Sequence, residues 1–532
     1  MKTTNRQLTA YCTLLLMLLA LPMQAQEATF QKIAESWTLH TDGSSTYHQY
    51  KELTLHTHTA MNRLYGESFI PYNPEQQTLT IHDSYTKQKD GTIIRTPDNA
   101  FVKVLPRWAA DAPAYNHLME QVVVHTGLEL GATIYLDYTI ESKAGYLADI
   151  DICKTLRQSS PTKLHTLTVS VPKDKTLHAE VTCLKAKPQV DSSAPATTTY
   201  TWTLRNIAAE PIESHTSIYT GETPFFVATT ASDPLAPIQK QWSKAGDLQV
   251  LTLSETITEG LSTQEEKTKA IHTFIYKNLG SANVPLSETG FRFRPVNDLI
   301  QSAYGTEIEK INLLQALLAA QDIPAKVGAT TLPVSDTKAL GLSSIQAWFV
   351  AVDGGEKGQQ LLTASGRPSL AAAYKDYAPT LSLTDKITLD TPKATPLTKT
   401  YQLTPAANKA KGGVVLLSLP DEAQSMTHKG YDALPSKRHQ SILLSAPVNE
   451  TFTYEISIPE GMTLATPAKN KEVTNAVGTM RLTIETKGNK ATIVRHLSIP
   501  RRLITTKDYA AFRQLTATYA NPADRKVLLR TD

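Results

Sequence analysis

Cysteine is scarce in this chain, and histidine is missing from a long internal segment, which limits the chemistry available there. Cysteine occurs only at Cys12, Cys153 and Cys183, so no thiol follows residue 183. No histidine occurs between His272 and His428. A nucleophilic cysteine is usually activated by a histidine that takes its proton. A cysteine–histidine site therefore cannot be built from that segment of the chain.

Several compact enzyme motifs are also missing. The sequence contains no His-Glu-x-x-His, no Gly-x-Ser-x-Gly, no Gly-x-x-x-x-Gly-Lys and no Gly-x-Gly-x-x-Gly after a strand. His56 and His58 alternate onto one face of a predicted strand, but a zinc site there would need a third ligand. We therefore predict neither a metal site nor a bound cofactor.

No hydrophobic run in the sequence is long enough to span a membrane, and the longest run lies near the start. An apolar stretch from about Thr13 to Pro22 follows Lys2 and Arg6. A membrane-spanning helix needs about 20 apolar residues, so a run of about ten is too short. This pattern predicts a secretory signal at residues 1–25 and export to the periplasm or beyond. Cys12 precedes the run and so gives no lipoprotein signal, and no transmembrane helix is expected in the mature chain.

Neither sign of charge dominates. The chain has 53 Lys and Arg against 50 Asp and Glu, and loss of Lys2 and Arg6 with the signal leaves a net charge of +1. The basic residues are scattered, so the sequence gives no indication of nucleic acid binding. The remaining length of about 500 residues suits about three domains.

Residues 26–232 are predicted to form an all-β domain. Asp42-Gly43 and Asp90-Gly91 each separate two strand-like runs, which is typical of hairpins. Cys153 and Cys183 both fall in this region. A disulfide between them is one interpretation, because exported proteins meet oxidising conditions. The alternative interpretation is that the two thiols lie apart and stay free, because the spacing in sequence does not give the distance between the two Cα atoms.

Residues 233–390 change to helical periodicity. Ser262 and Glu265 fit a capping box ahead of a helix that carries His272, which we interpret as a surface or interface histidine. Thr306 and Glu309 fit a second capping box, preceded by a predicted turn at Tyr304-Gly305. The helix that follows has one strongly apolar face, formed by Ile311, Leu313, Leu314, Leu317 and Leu318. These features predict a buried helix that ends before Pro324.

This helix resembles the nucleophile helix of the transglutaminase-like fold, whose members read roughly Tyr-Gly-Asp/Thr-Cys-x-(Glu/Asp)-Lys-x-x-Leu-Leu. Glu307 stands where the family has its cysteine. Downstream, the run Gln346 to Val352 is similar to the family's His-Ala-Trp-Val strand, with Gln346 in place of the histidine and Trp348 as the tryptophan. Thr363 stands where the aspartate of a Leu-Asp-x-Thr strand is expected.

The resemblance implies a papain-like site in which a histidine activates a cysteine and an aspartate orients the histidine. Glu307, Gln346 and Thr363 cannot perform those three roles, because glutamine does not titrate and threonine carries no charge. For Glu307 the alternative is structural: a carboxylate in the first turn of a helix is favourable by about 0.3–1 kcal/mol.

The flanking regions extend the resemblance. The β-rich region before residue 233 resembles a domain of unknown function that precedes transglutaminase-like domains in exported bacterial proteins. After a Thr-, Pro- and Lys-rich stretch at about 384–400, residues 391–532 are strand-rich and suggest an immunoglobulin-like sandwich. The predicted fold is therefore multidomain and β-rich, with a central α+β domain between two β-sandwich-type domains.

Two functional hypotheses follow. In the first, the chain is a pseudoenzyme, a non-catalytic relative of an enzyme family. Its old cleft, formed by Glu307, Gln346, Trp348 and Thr363, either binds a peptide, protein or glycan or serves only as a spacer. In the second, the chain is a hydrolase or transferase that acts on peptide or glycan through a carboxylate-based site, using Glu307 with Glu309 or another acid.

Overall fold

A computed structural model describes residues 26–243, 246–390, 396–406 and 413–531. The predicted signal at 1–25 and part of the predicted linker lie outside the described residues. Strands far outnumber helices in the described chain, which confirms the β-rich prediction. Within those ranges, no helix is both long and apolar enough to cross a bilayer.

Fourteen strands lie between residues 28 and 229. They are β1 (Ala28–Leu39), β2 (Ser45–Leu55), β3 (Glu67–Tyr72), β4 (Gln77–Lys87), β5 (Ile93–Arg95), β6 (Phe101–Val104), β7 (Met119–Val124), β8 (Thr133–Ser142), β9 (Asp151–Thr155), β10 (Thr162–Pro172), β11 (His178–Val181), β12 (Gln189–Asp191), β13 (Thr197–Ile207) and β14 (Phe225–Thr229). They form an eight-stranded sheet, ordered β12-β13-β10-β1-β2-β8-β4-β5, and two three-stranded sheets, β3-β7-β6 and β11-β14-β9. In β10, Leu167, Val169 and Val171 are fully buried, as expected when alternate side chains face a core.

Both predicted hairpins are confirmed. β1 pairs antiparallel with β2, with Trp37 opposite Tyr47, and β4 pairs with β5. Gly43 and Gly91 occupy the turns at φ of 80° and 95°, a conformation that glycine adopts without steric cost. The predicted strand that carries His56 and His58 is wrong, however, because β2 ends at Leu55 and His58 begins a helical turn.

The Cys153–Cys183 disulfide is not formed, and both thiols are free. Cys153 lies in β9, whereas Cys183 follows β11, and β14 runs between these two strands. Two strand spacings amount to about 9–10 Å, beyond the reach of a disulfide. The Cys183 thiol instead donates to the carbonyl of Gly221 at 2.8 Å.

The middle region contains six helices and six strands. The helices are α1 (Ala236–Gln241), α2 (Leu248–Thr258), α3 (Gln264–Lys277), α4 (Val296–Ser302), α5 (Glu307–Ala319) and α6 (Ala371–Tyr374). The strands are β15 (Gly280–Ser281), β16 (Tyr304–Gly305), β17 (Ala325–Thr331), β18 (Ile345–Asp353), β19 (Gln359–Leu362) and β20 (Thr380–Ser382). A four-stranded sheet, ordered β19-β18-β17-β20, packs against α5. This is an α+β arrangement.

The buried helix is confirmed as α5. Ile311, Leu313, Leu314, Leu317 and Leu318 are all fully buried, and the helix is enclosed on nearly every side. The predicted turn is displaced: Tyr304 and Gly305 form β16, which pairs with β15 so that Gly305 lies opposite Ser281. The chain reverses instead at Ala303, whose φ is 57°.

The described residues of the last region form ten strands and one α-helix. They are β21 (Leu397–Leu403), β22 (Val414–Ser418), β23 (Ile442–Leu443), β24 (Val448–Ser457), β25 (Met462–Leu464), β26 (Lys469–Thr474), β27 (Thr479–Lys487), β28 (Lys490–Ile499), β29 (Leu503–Ile504), α7 (Tyr509–Tyr519) and β30 (Lys526–Thr531). A five-stranded sheet, β21-β24-β28-β27-β26, shares a core with the sheet β22-β30-β25 and with α7. The immunoglobulin-like topology and the domain boundaries at 232 and 390 stay predictions.

Four carboxylates of the N-terminal region hold both later regions through backbone N–H groups. The Asp151 carboxylate, on β9, accepts from the N–H groups of Leu342 and Ser343, at 2.6 and 2.9 Å. Other acids do the same: Glu180 for residues 335 and 336, Glu213 for 439 and 440, and Glu222 for 441. We call these four acids the carboxylate clamps. Two of them attach the N-terminal region to the middle region, and two attach it to the last region.

Candidate functional site

The N-terminus of α5 is held by a partly formed capping box. Glu309 accepts a hydrogen bond from the Thr306 N–H at 2.8 Å. The Thr306 hydroxyl faces the Glu309 N–H as in a capping box but does not reach hydrogen-bond geometry, and it is buried without a partner among the described residues. The box predicted at Ser262 and Glu265 is shifted by one residue, because the N-cap of α3 is Thr263 and its partner is Glu266.

Glu309 anchors a buried ion pair that joins two regions of the chain. It is 1% exposed, and Arg294 donates to its two carboxylate oxygens at 3.0 Å each. The hydroxyl of Tyr115, from the N-terminal region, donates to the same carboxylate. The Arg294 guanidinium also lies over the rings of Tyr115 and Tyr304. Burial alone would raise the pKa of Glu309, but hydrogen bonds from Arg294 and Tyr115 lower it below its usual value.

A cavity of about 590 Å³ opens beside this helix start. It is walled by the N-terminal region, through Tyr115 and Cys153, and by the middle region. The middle region contributes the start of α5 together with nearby strands and loops: Ser281, Asn283, Ser287, Phe291, Arg292, Thr306, Glu307, Lys310, Ser343, Ile345, Trp348 and Ser365. Its volume is typical of ligand pockets, which span about 300–1,000 Å³.

Glu307 faces this cavity. It is the first residue of α5, and one carboxylate oxygen accepts from the Trp348 N–H at 3.3 Å. Water reaches the side chain through the opening, yet protein surrounds it on most sides. Burial therefore raises the pKa of Glu307, and the Trp348 hydrogen bond offsets part of that rise.

The four predicted cleft residues are only partly brought together. Glu307 and Trp348 line the cavity, whereas Gln346 and Thr363 do not. A register shift in the β17–β18 pairing leaves Gln346 exposed without a partner on β17, and its amide donates to the Ser344 carbonyl. The Thr363 hydroxyl donates to the Arg367 carbonyl at 2.7 Å.

His272 is half-buried against the loop that follows β19. Its Nε2 donates to the Thr363 carbonyl at 2.9 Å, and burial lowers the pKa of the imidazole. This position is consistent with the expected surface or interface histidine. His272 does not line the cavity, so it stabilises the loop after β19 instead of acting on a ligand.

Three cavity residues were not found by sequence reasoning. Cys153 and Tyr115 come from distant parts of the chain, so no local pattern indicates them. Burial raises the pKa of the Cys153 thiol to about 12, which keeps it protonated. Lys310 did carry an indication in the sequence, because it is the one basic residue of α5 and lies beside its apolar face. No group of three or more metal-binding side chains occurs among the described residues.

Both flanking regions match known domains. Residues 41–211 match the domain of unknown function DUF3857, and residues 415–529 match DUF3858. The crystal structure of a putative protease from Parabacteroides distasonis is 37% identical, covers 95% of this chain and 99% of its own, and superposes with a TM-score of 0.86. This chain therefore belongs to the same family of multidomain proteins as that protein.

Other comparisons are weaker. A putative cysteine protease from Cytophaga hutchinsonii is 12% identical, covers 45% of this chain and 91% of its own, and has a TM-score of 0.19. The periplasmic domain of TgpA from Pseudomonas aeruginosa is 10% identical, with coverages of 42% and 77% and a TM-score of 0.18. Scores this low support no conclusion. No curated protein matches the chain.

Proposed function

We propose that this chain is an exported, non-catalytic member of its family, a pseudoenzyme whose cavity binds a ligand. The observation that carries the proposal is the open cavity of about 590 Å³ beside Glu307. Replacement of the family's cysteine has left ligand-sized space at the same helix end. A chain that used this region only as a spacer would have no reason to keep that space open.

The cavity lining favours binding over thiol chemistry. Among the described residues, no histidine lines it, and its thiol, Cys153, has a pKa raised to about 12. The thiolate is the reactive form of cysteine, so this thiol is a poor nucleophile at neutral pH. Gln346 and Thr363, the other two replaced positions, lie outside the lining.

The ligand class that the cleft would take is a peptide, a segment of a protein, or a glycan. Screening the mature protein on peptide and glycan arrays would identify it. Ser365 is exposed on the cavity wall, so Ser365→Trp should fill the cavity and abolish binding. Ser418→Trp, at an exposed position at the end of β22, is the matched control and should bind normally. Undiminished binding by Ser365→Trp would show that the cavity is not the site.

A carboxylate-based hydrolase is the second candidate, and the raised pKa of Glu307 favours it, because a general acid works best with a pKa near the working pH. The related Parabacteroides protein is also described as a protease. Glu309 is not available as the second acid, since it is buried and paired with Arg294. Peptide or glycan turnover by the purified protein that disappears in Glu307→Gln would replace the binding proposal with this one.

Export is part of the proposal and rests on the basic start and the short apolar run of residues 1–25. The mature chain should begin near Gln26. Mass spectrometry of the protein purified from its native compartment measures this directly. A mature chain that still begins at Met1 or Lys2 would contradict export by this route.

A further inference from the structure

Lys310 places an unpaired positive charge in the cavity wall. Its side chain is 2% exposed, and its ammonium donates to the Leu279 carbonyl and the Ser281 hydroxyl, both at 3.0 Å. Both acceptors are uncharged. An ammonium has three N–H groups, so one has no acceptor among the described residues. Burial lowers the pKa of Lys310, as expected for an ammonium without a carboxylate beside it.

Thr306 adds an unused donor close to that ammonium. Its side chain is 7% exposed and lines the same cavity, and its hydroxyl has no partner among the described residues. Thr306 is the N-cap of α5, and its carbonyl accepts from the Lys310 N–H at 3.0 Å, so the two residues are neighbours at the start of the helix. The Lys310 ammonium also reaches back to the start of the helix, because it binds Ser281, which lies opposite Gly305 in the β15–β16 pairing.

The surroundings reinforce the positive character of this end of the cavity. α5 has 13 residues, and the first N–H groups of such a helix attract negative charge. Arg292 lines the same cavity, donates to the Gly145 carbonyl at 3.2 Å and lies over the ring of Tyr146. Within the described chain it forms no ion pair. Its guanidinium is directed towards Gly145 and Tyr146, outside the cavity lining, so Lys310 is the cation that lies in the wall together with the carboxylate of Glu307.

We propose that the cavity recognises its ligand through a carboxylate, which accepts hydrogen bonds from Lys310 and Thr306 at the start of α5. This deepens the proposed function and rests on it. A carboxylate fits better than a phosphate monoester, because Glu307 shares the cavity and repels a doubly charged anion more strongly. A peptide C-terminus, an acidic side chain and an acidic sugar all carry this group.

Two matched probe pairs test the proposal on the full mature protein. Isothermal titration compares N-acetyl-alanyl-alanine with its C-terminal amide, and glucuronate with glucose. The carboxylate member of at least one pair should bind, and its uncharged partner should bind about tenfold more weakly or worse, since charge-assisted hydrogen bonds exceed about 1.4 kcal/mol. The pair that shows the difference distinguishes a peptide source from a sugar source. Inorganic phosphate should bind more weakly than the better carboxylate.

Variants then locate the binding. Thr306→Val removes a hydroxyl that has no internal partner, so it should leave the melting temperature unchanged while weakening carboxylate binding about fivefold. Lys310→Met should weaken it more than tenfold. Lys326→Met is the matched control, because Lys326 is exposed on β17, outside the cavity lining, and should not change affinity. If Lys310→Met does not fold, Thr306→Val decides the question.

The outcomes separate this inference from the proposed function. Equal affinity for charged and uncharged probes, or wild-type affinity in Thr306→Val, would overturn carboxylate recognition and leave a binding cavity of another chemistry. Tighter binding of phosphate than of either carboxylate would also overturn it. If none of the four probes binds, carboxylate recognition is overturned as well. The proposed function is overturned only if the arrays detect no ligand whose binding is lost in Ser365→Trp.

Discussion

Replacing Arg294 by methionine tests whether the buried ion pair with Glu309 holds the start of α5. Methionine keeps most of the apolar stem but removes both guanidinium hydrogen bonds to Glu309, leaving that carboxylate charged at 1% exposure. It also removes the hydrogen bonds to the Ser302 hydroxyl and the Tyr304 carbonyl. Breaking a buried pair in this way costs about 3–5 kcal/mol. The Tyr115 hydroxyl and the Thr306 N–H still donate to the carboxylate, so we expect about 3 kcal/mol.

A loss of that size should be visible by calorimetry. In a cooperatively unfolding domain of about 150–250 residues, a loss of about 3 kcal/mol lowers the melting temperature by roughly 6–12 °C. Arg292→Met is the matched control, because Arg292 is exposed and has only uncharged partners, so its loss should change the melting temperature by no more than about 2 °C. The double variant Arg294→Met/Glu309→Gln should lose less than the sum of the single changes, since no charge is then stranded. If Arg294→Met melts like the Arg292→Met control, the pair does not hold the helix.

The remaining predictions concern single groups. Thr306→Ala should cost less than about 0.5 kcal/mol in urea unfolding, because its hydroxyl makes no hydrogen bond, and a loss near 2 kcal/mol would show that the cap is formed. Burial raises the pKa of Asp151 in the folded protein to about 6. As the pH rises towards and through this value, the folded chain must release a proton that the unfolded chain has already lost, so the stability falls. The melting temperature of the wild type should therefore fall more from pH 5 to 7 than that of Asp151→Asn, and parallel curves would contradict this. When the protein is unfolded without a reductant, both Cys153 and Cys183 should react with an alkylating reagent. Adding a reductant to the folded protein should leave its melting temperature unchanged.

Local features of the fold could be predicted from the sequence because short-range physics determines them. The glycines at 43 and 91 mark turns that few other residues can adopt, and the leucine spacing in α5 defines a buried helix. The capping box before α3 shows the limit of such patterns. Ser262 with Glu265 and Thr263 with Glu266 both fit the motif, and only the folded chain selects the second.

The candidate site was harder to predict because it depends on contacts between distant residues. Glu307 was identified by its place at the helix start, and Trp348 by its strand. Gln346 was misplaced, because a one-residue register shift in β18 turns its side chain away from the cavity. Tyr115 and Cys153 close the cavity from strands and loops more than 150 residues earlier in the chain, and no periodicity in the sequence reports that packing.

The carboxylate clamps have a consequence for how this chain tolerates substitution over evolutionary time. Each of the four acids binds backbone N–H groups, so substitutions of the side chains at residues 335, 336 and 343 leave those hydrogen bonds in place. The His439 imidazole and the Ser441 hydroxyl are exceptions, because they also bond Glu213 and Glu222. Gly341 is another, since a Cβ there would lie 2.5 Å from the Asp151 carboxylate. A lost acid, by contrast, is not replaced by a change in the clamped loop, because the donors there are backbone N–H groups, which only proline removes. Related sequences should therefore vary in the clamped loops and keep the acids.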